Sequence, residues 1–383
     1  MHLGGLAMGL TNIRLGDYIE RSTQNNKDLE YGTDLIVGVN SQGIFAVPKG
    51  NTDGVDLKPY KIVNDGAFVY NPTRLELGSI AYRTEGLCIV SHLYMVFYLT
   101  DEGKKIIDPM WLYIYFRRAE FCREVTFRNF GSQRPEFNFN DMSDIIVPLP
   151  DIKIQRKYVD IYNAMLANQQ SYEHGLDDLK LSFETLIDEH KHKANKKTVG
   201  SIFKEVDCRN TESLITDVQG INITKQFMPS VANTYEVNLT KYKLVRKGQF
   251  AFSGMQTGRD ECIRIALYNK EDTIIISPAY TVLEIKDDTV LSEYVMMWFS
   301  RKEVDRLGWF MSDASIRTNL DMDRFYEIEI PVPDINVQKA IVEIYNAYNM
   351  RRNINEKLKS QIKDICPILI KGSVEEARKT KEA

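Results

Sequence analysis

Residues 147–166 read V-P-L-P-D-I-K-I-Q-R-K-Y-V-D-I-Y-N-A-M-L, and residues 330–349 read I-P-V-P-D-I-N-V-Q-K-A-I-V-E-I-Y-N-A-Y-N. Ten of the twenty positions are identical at an offset of 183, and Val147/Ile330, Arg156/Lys339 and Asp160/Glu343 exchange like for like. A duplication of this quality decides the fold, because it means one structural plan used twice. In each copy a strand is stopped by Pro150-Asp151 or Pro333-Asp334, and the Asp serves as N-cap of a following helix. The first apolar ladder runs Ile154, Tyr158, Ile161, Met165, Asn168, Tyr172, Leu176, Leu179, Phe183, Leu186, with one stutter near Gly175. The second runs Val337, Ile341, Ile344, Tyr348, Arg351, Asn355, Leu358, Ile362, Ile365, Leu369. Steps alternating between four and three are heptads. Forty residues of helix make a rod of roughly 60 Å. Neither stripe can be buried alone, so the two helices are expected to pair antiparallel. Asn168 and Arg351 interrupt the seam at matching places, where a polar residue fixes register. Pro367 is expected to end or kink the second helix near Cys366.

The repeat extends upstream. Ser91 and Tyr94 match Ser277 and Tyr280; Gly66, Phe68 and Val69 face Gly248, Phe250 and Ala251; Ser132 and Arg134 pair with Ser315 and Arg317. The chain is therefore A–B–A′–B′. The expected domains are 1–150, a helix over 151–195, a second domain over 196–333, and a helix with tail over 334–383. The A parts carry short strand-like runs, such as Leu35 to Val39, Ile62 to Tyr70, Ile274 to Ser277 and Thr281 to Ile285. Each also holds one helical segment, Pro109 to Glu124 and Ser292 to Leu307. The fold class is α/β (mixed), with two pseudo-repeated α/β domains joined by two long helices in an antiparallel coiled coil.

The whole chain has 383 residues, 43% apolar and 27% charged, with a net charge of −4. That is globular composition, and the charge argues against a uniformly basic nucleic-acid binder while leaving room for local basic patches. Cys88, Cys122, Cys208, Cys262 and Cys366 lie too far apart for C-x-x-C chemistry, and His190 and His192 are spaced wrongly for a metal pair on one helix face. No metal site and a cytoplasmic location are the expectation. The uncharged-looking stretch Gly86 to Thr100 is shorter than the roughly 20 residues of a helical span and reads as buried strand. Met1 to Leu10 is apolar but lacks a basic region, so it is not a secretory signal.

Catalytic constellations are missing from the sequence. Tyr70-Asn71-Pro72-Thr73 is a partial match to the Asn-Pro-Pro-Tyr signature of amino-methyltransferases, but Thr73 and Arg74 stand where the stacking aromatic is needed. A turn at Pro72 is the simpler reading. No phosphate-binding G-x-x-x-x-G-K-[ST] loop and no G-x-S-x-G elbow occur. What remains is binding chemistry. Arg117, Arg118, Arg123, Arg128 and Arg134 stand among Phe127, Phe130, Phe137 and Phe139; Lys191 to Lys204 holds five lysines and no acid; Lys241, Lys243, Arg246 and Lys247 flank Tyr242. Such clusters are either solvated faces or phosphate and base contacts. The candidate DNA-contacting residues are Arg74, Arg128, Ser132, Gln133, Arg134, Asn138, Lys241, Lys243, Gln256, Arg259, Ser315, Arg317 and Asn319. Arginine suits them because its fork matches guanine and phosphate alike.

The duplicated hydrophobic-P-x-P-D helix start with its glutamine, G-S-x-R at 131–134 with A-S-x-R at 314–317, the S-x-x-Y strands and the G-x-F strands resemble the specificity subunit of Type I restriction-modification enzymes. The resemblance covers nearly the whole chain. It implies two target recognition domains, each reading one half of a split, asymmetric sequence in double-stranded DNA. It implies two long helices acting as spacer and as docking site for two methyltransferase subunits. S-adenosylmethionine would sit on those subunits, and ATP and Mg on restriction/translocase subunits, leaving this chain non-catalytic, without cofactor and without membrane contact. Ala314 departs from Gly131, which bears on the loop conformation of the second copy. Two other readings compete: a two-headed coiled-coil scaffold for proteins, and a methyltransferase in its own right.

Overall fold

The computed structural model describes residues 9–48, 50, 52, 54–129, 136–230, 237–313 and 318–382. The protein is mixed α/β and divides into two compact units, Met1–Ser171 with Ile354–Ala383, and Tyr172–Asn353. Both long helices, Ile152–Lys191 and Ile335–Glu382, contribute to both units.

The first unit is built on a four-stranded antiparallel sheet in the order Ile19–Arg21, Met95–Leu99, Phe68–Tyr70, Ile80–Tyr82. Successive side chains of a strand point to opposite faces, and the sequence uses this to build two cores. Phe68, Tyr70, Phe97 and Leu99 pack on one side with Trp111, Phe116 and Phe121. Val69, Ala81 and Val96 pack on the other with Val63, Cys88 and Val90. The second unit repeats the plan with the order Phe203–Val206, Thr281–Ile285, Phe250–Ser253, Arg264–Leu267. There Phe250, Phe252, Ile265 and Leu283 face the helices. Ala251, Ala266 and Val282 face a smaller four-stranded sheet of Phe227–Pro229, Val218–Ile221, Ile274–Ile276 and Lys243–Val245. In the first unit the corresponding strands form two separate pairs, Gly38–Val39 with Phe45–Ala46 and Lys61–Val63 with Cys88–Val90.

Each long helix is launched from a two-stranded ribbon. Thr11–Arg14 pairs antiparallel with Ile146–Leu149, and Asn195–Thr198 with Glu329–Val332. The glutamine of the repeated motif explains the motif. Gln155 is fully buried; its amide donates to the carbonyls of Ile106 and Pro150 at 2.8 and 2.7 Å, and its oxygen accepts the Asp108 N–H at 2.8 Å. Gln338 makes the same three bonds, to Thr289 O, Pro333 O and Leu291 N, at 2.9, 2.9 and 3.0 Å.

The long helices run antiparallel within each unit. In the first, Lys157 pairs with Glu376 at 2.8 Å, and Gln169 Nε2 donates to Asn355 Oδ1 at 2.8 Å. In the second, the Phe183 ring packs edge-on against Tyr345 and Tyr348, and Arg351 Nε donates to the Tyr172 carbonyl at 2.9 Å. Arg351 lies over Gly175, where a Cβ would sit 2.8 Å from its guanidinium carbon. The stutter in the heptads is thus the place where a glycine admits an arginine.

Three expectations are corrected here. The seam positions Ile154, Tyr158, Met165, Leu179, Phe183, Val337, Ile341, Ile344, Tyr348, Arg351, Leu358 and Ile362 are buried or partly buried, but Ile161 is 44% exposed and Asn168 is exposed. Val159, Tyr162 and Gln169 are buried instead. This end of the helix packs on the core that holds Trp111 and Tyr115 as well as on the second helix, so its buried arc is wider than a two-position seam and turned by one residue. Second, the C-terminal helix does not stop at Pro367, which lies inside it. Leu369, Ile370, Val374 and Ala377 beyond it are buried, and Trp111 Nε1 donates to Ser373 Oγ at 3.1 Å. This packing outweighs the roughly 3 kcal/mol that an interior proline costs. Third, each segment read as one helix is two: Pro109–Phe116 then Ala119–Arg128, and Ser292–Phe299 then Lys302–Met311. The breaks fall at Arg118 and Arg301, whose backbones are extended. Their guanidiniums fold back over the rings of Tyr115 and Trp298, at 3.8 and 5.0 Å.

Candidate nucleic-acid interface

The loops carrying the two Ser-x-Arg motifs lie outside the described residues, and with them Ser132, Gln133, Arg134, Ser315 and Arg317. Their bases are described, and both are clasped in the same way. Phe137 N donates to the Pro72 carbonyl at 3.0 Å, and Leu320 N, 183 positions on, to the Gly254 carbonyl at 2.9 Å. Gly254 is required there, because a Cβ would lie 1.8 Å from the Leu320 oxygen. In the second unit the clasp is tighter. Asp313 N donates to Asn319 O, and Asn319 N to Asp313 Oδ1, both at 2.9 Å. Gln256 N donates to Asn319 Oδ1 at 3.0 Å, and Gly258 N to the Thr318 carbonyl at 3.0 Å. Gln256, Arg259 and Asn319 are therefore brought together at one loop base.

In the first unit Asn71 Oδ1 accepts from Thr73 N and Thr73 Oγ1, at 3.1 and 2.9 Å. This is an Asx turn. It leaves Arg74 exposed, and among the described residues its guanidinium has no hydrogen bond or ion pair.

Several of the other candidates also have partners within the fold. Asn138 caps the helix Phe139–Ser143, accepting from Asn140 N and Asp141 N, while Asp141 accepts the Asn138 N–H in a complete capping box. Arg128 pairs with Glu124 at 2.9 Å. Lys243 Nζ donates to the Tyr280 carbonyl at 2.7 Å, the counterpart of Lys61 on the Tyr94 carbonyl at 2.5 Å. Lys241 is exposed. Arg259 bridges Gln256 Oε1 at 2.8 Å and Asp260 at 3.0 Å. Burial alone would raise the Asp260 pKa, but hydrogen bonds from Arg259 and Arg264 outweigh it and hold the carboxyl below the usual range.

The basic clusters are mostly matched by acids. In the lysine run, Lys191 pairs with Asp188, Lys196 with Glu329, Lys197 with Asp287 and Lys204 with Glu284. Lys247 pairs with Glu271. Arg117 donates to the Gly78 and Ser41 carbonyls, and Arg118 Nε to the Tyr115 carbonyl at 2.9 Å. Among the described residues no three His, Cys, Asp or Glu side chains are grouped to hold a metal ion, and no helix is long and apolar enough to cross a membrane.

The sequence of the family described as Type I restriction modification DNA specificity domain matches the chain twice, over residues 11–179 and 191–364. The chain belongs to that family. Each match opens at or near the first strand of a launching ribbon, so the family's unit is the repeat seen here. The S subunit of a Type I restriction-modification system from M. genitalium has the same fold, with a TM-score of 0.56 at 14% identity over 97% of this chain and 98% of that one. The HsdS subunit from Thermoanaerobacter tengcongensis matches over 96% of this chain and 97% of its own, at 15% identity and a TM-score of 0.40. No curated protein matches the chain. The family's domain therefore occurs once in each of the two repeats. Sequence reasoning missed Gln155 and Gln338 as the latches of those repeats, although their place in the duplicated motif was the signal.

Proposed function

We propose that this chain is the DNA-reading subunit of a Type I restriction-modification enzyme, each unit taking one half of a bipartite target. The observation that carries the reading is the family's domain matched in two copies, each with a Ser-x-Arg motif three residues before the residue that closes the same main-chain clasp. Segments positioned by a rigid scaffold are where recognition residues belong. The half-sites differ in sequence. The clasp of one unit is an Asx turn with Arg74, and that of the other is the short helix Thr257–Asp260 with Gln256 and Arg259. Different side chains at equivalent places read different bases.

Two methyltransferase subunits dock on the long helices and bring S-adenosylmethionine; restriction/translocase subunits bring ATP and Mg. Exposed identity between the copies supports this, since Asn163 and Ala164 match Asn346 and Ala347 on solvent-facing positions where packing sets no requirement. Selection of bound duplexes from a random library by the assembled complex tests the reading. It should return two specified blocks of different sequence separated by an unspecified spacer. One contiguous block, or no preference, would overturn it.

A further inference from the structure

The helices Ala119–Arg128 and Lys302–Met311 match in register at the 183 offset. Their inward faces agree in position: Phe121 and Val125 are buried in the first unit, Val304 and Gly308 in the second. Their outward faces agree in identity at two pairs. Arg123 and Arg306 are exposed, and one turn later Phe127 and Phe310 are 82% and 86% exposed. Residues four apart share a helix face, so each unit displays the same arginine–phenylalanine pair. In the second unit Leu307 and Trp309 stand exposed beside it. The ion pair of Arg123 with Glu120, 3.4 Å apart and exposed on both sides, leaves the guanidinium available.

A single exposed phenylalanine needs no explanation. The same one kept at the same register in two helices that match at only three of ten positions does. Base edges do not account for it, because the two half-sites differ. The phosphate backbone is common to both half-sites, but it attracts cations and not an apolar ring. A partner that is identical for both units is two copies of one protein, and exposed aromatics beside arginine are the composition of protein hot spots.

We propose that Arg123/Phe127 and Arg306/Phe310 are equivalent anchors for two copies of one protein subunit, whose surface offers an apolar pocket rimmed by carboxylates. This rests on the reading above, in which two methyltransferase subunits assemble on the chain. The test titrates the full chain with the adenine methyltransferase subunit of a Type I system from the same genome, reading stoichiometry and affinity of both copies. Wild type should bind two copies. Phe127→Ala and Phe310→Ala should each weaken one copy by at least about tenfold, and the double variant both. Because the rings are exposed, the melting temperature of each variant should match wild type. Two copies bound with unchanged affinity by the double variant would overturn the proposal and leave the functional reading standing. Weakened DNA binding of the assembled complex with methyltransferase affinity unchanged would assign the rings to DNA and overturn it too. A wild-type chain that binds no methyltransferase would overturn the functional reading itself.

Discussion

Gln155 and Gln338, themselves fully buried, each tie the start of a long helix to the loop before a core helix. Gln338→Leu leaves one N–H and two carbonyls, buried or partly buried, without their partner. Each such group costs about 1–3 kcal/mol, so a loss of about 3 kcal/mol is expected after relaxation. Urea unfolding should show it, and a change under about 0.5 kcal/mol, the usual scale of a surface substitution, would refute the latch. The neighbouring carboxyl of Asp287 is held at about 2 by hydrogen bonds from Lys197 and Thr289. Its pKa is therefore lower folded than unfolded, so its contribution is complete above about pH 4 and is lost as the pH falls toward 2. Asp287→Asn should flatten stability against pH across that window and leave the slope above it unchanged. Titrated thermal melts check this. The latches were only half legible in the sequence. The glutamine was visible in the repeat, but two of its three partners come from a segment about fifty residues upstream. Asn138 also caps a helix, and N-F-N-D carries that signal in an acid three residues after the asparagine. Lys243 gave no such warning, since its partner is a main-chain carbonyl.

At the scale of elements, the paired helices were the most legible feature and their exact faces the least. Heptad spacing identifies two helices that must pair. It does not disclose that one of them also packs on a recognition core, which turns the buried arc toward Val159, Tyr162 and Gln169. Nor does a proline rule disclose that Leu369, Ile370 and Val374 have a core waiting beyond Pro367. The polar pair Gln169–Asn355 is the register device on this stretch, in place of Asn168. Gln169→Leu alone should cost about 1–3 kcal/mol by leaving Asn355 unpaired, and adding Asn355→Leu should recover most of it. Equal, additive losses in a double-mutant cycle would show that the two do not act as a pair.

Across the whole molecule, the repeat explains both what the two units share and where they part. They share sheets, latches and clasps, because those build the same core twice. They part at the clasp side chains and in the smaller sheet, which is continuous in one unit and split in the other. The net charge of −4 fits a chain that borrows phosphate contacts from its partners. The central claim is that each unit reads its own half-site, and methylation of a duplex library randomised in both halves tests it most directly. The complex is compared with those of Arg134→Ala and Arg317→Ala, one variant per unit. Each should alter one half only, by about 1–3 kcal/mol at one position for a lost base contact. For a lost phosphate contact, activity should fall evenly across sequences with a shallower salt dependence. A folded variant that shifts base preference in both halves equally would contradict the account, as would two folded variants that leave both halves and overall activity unchanged.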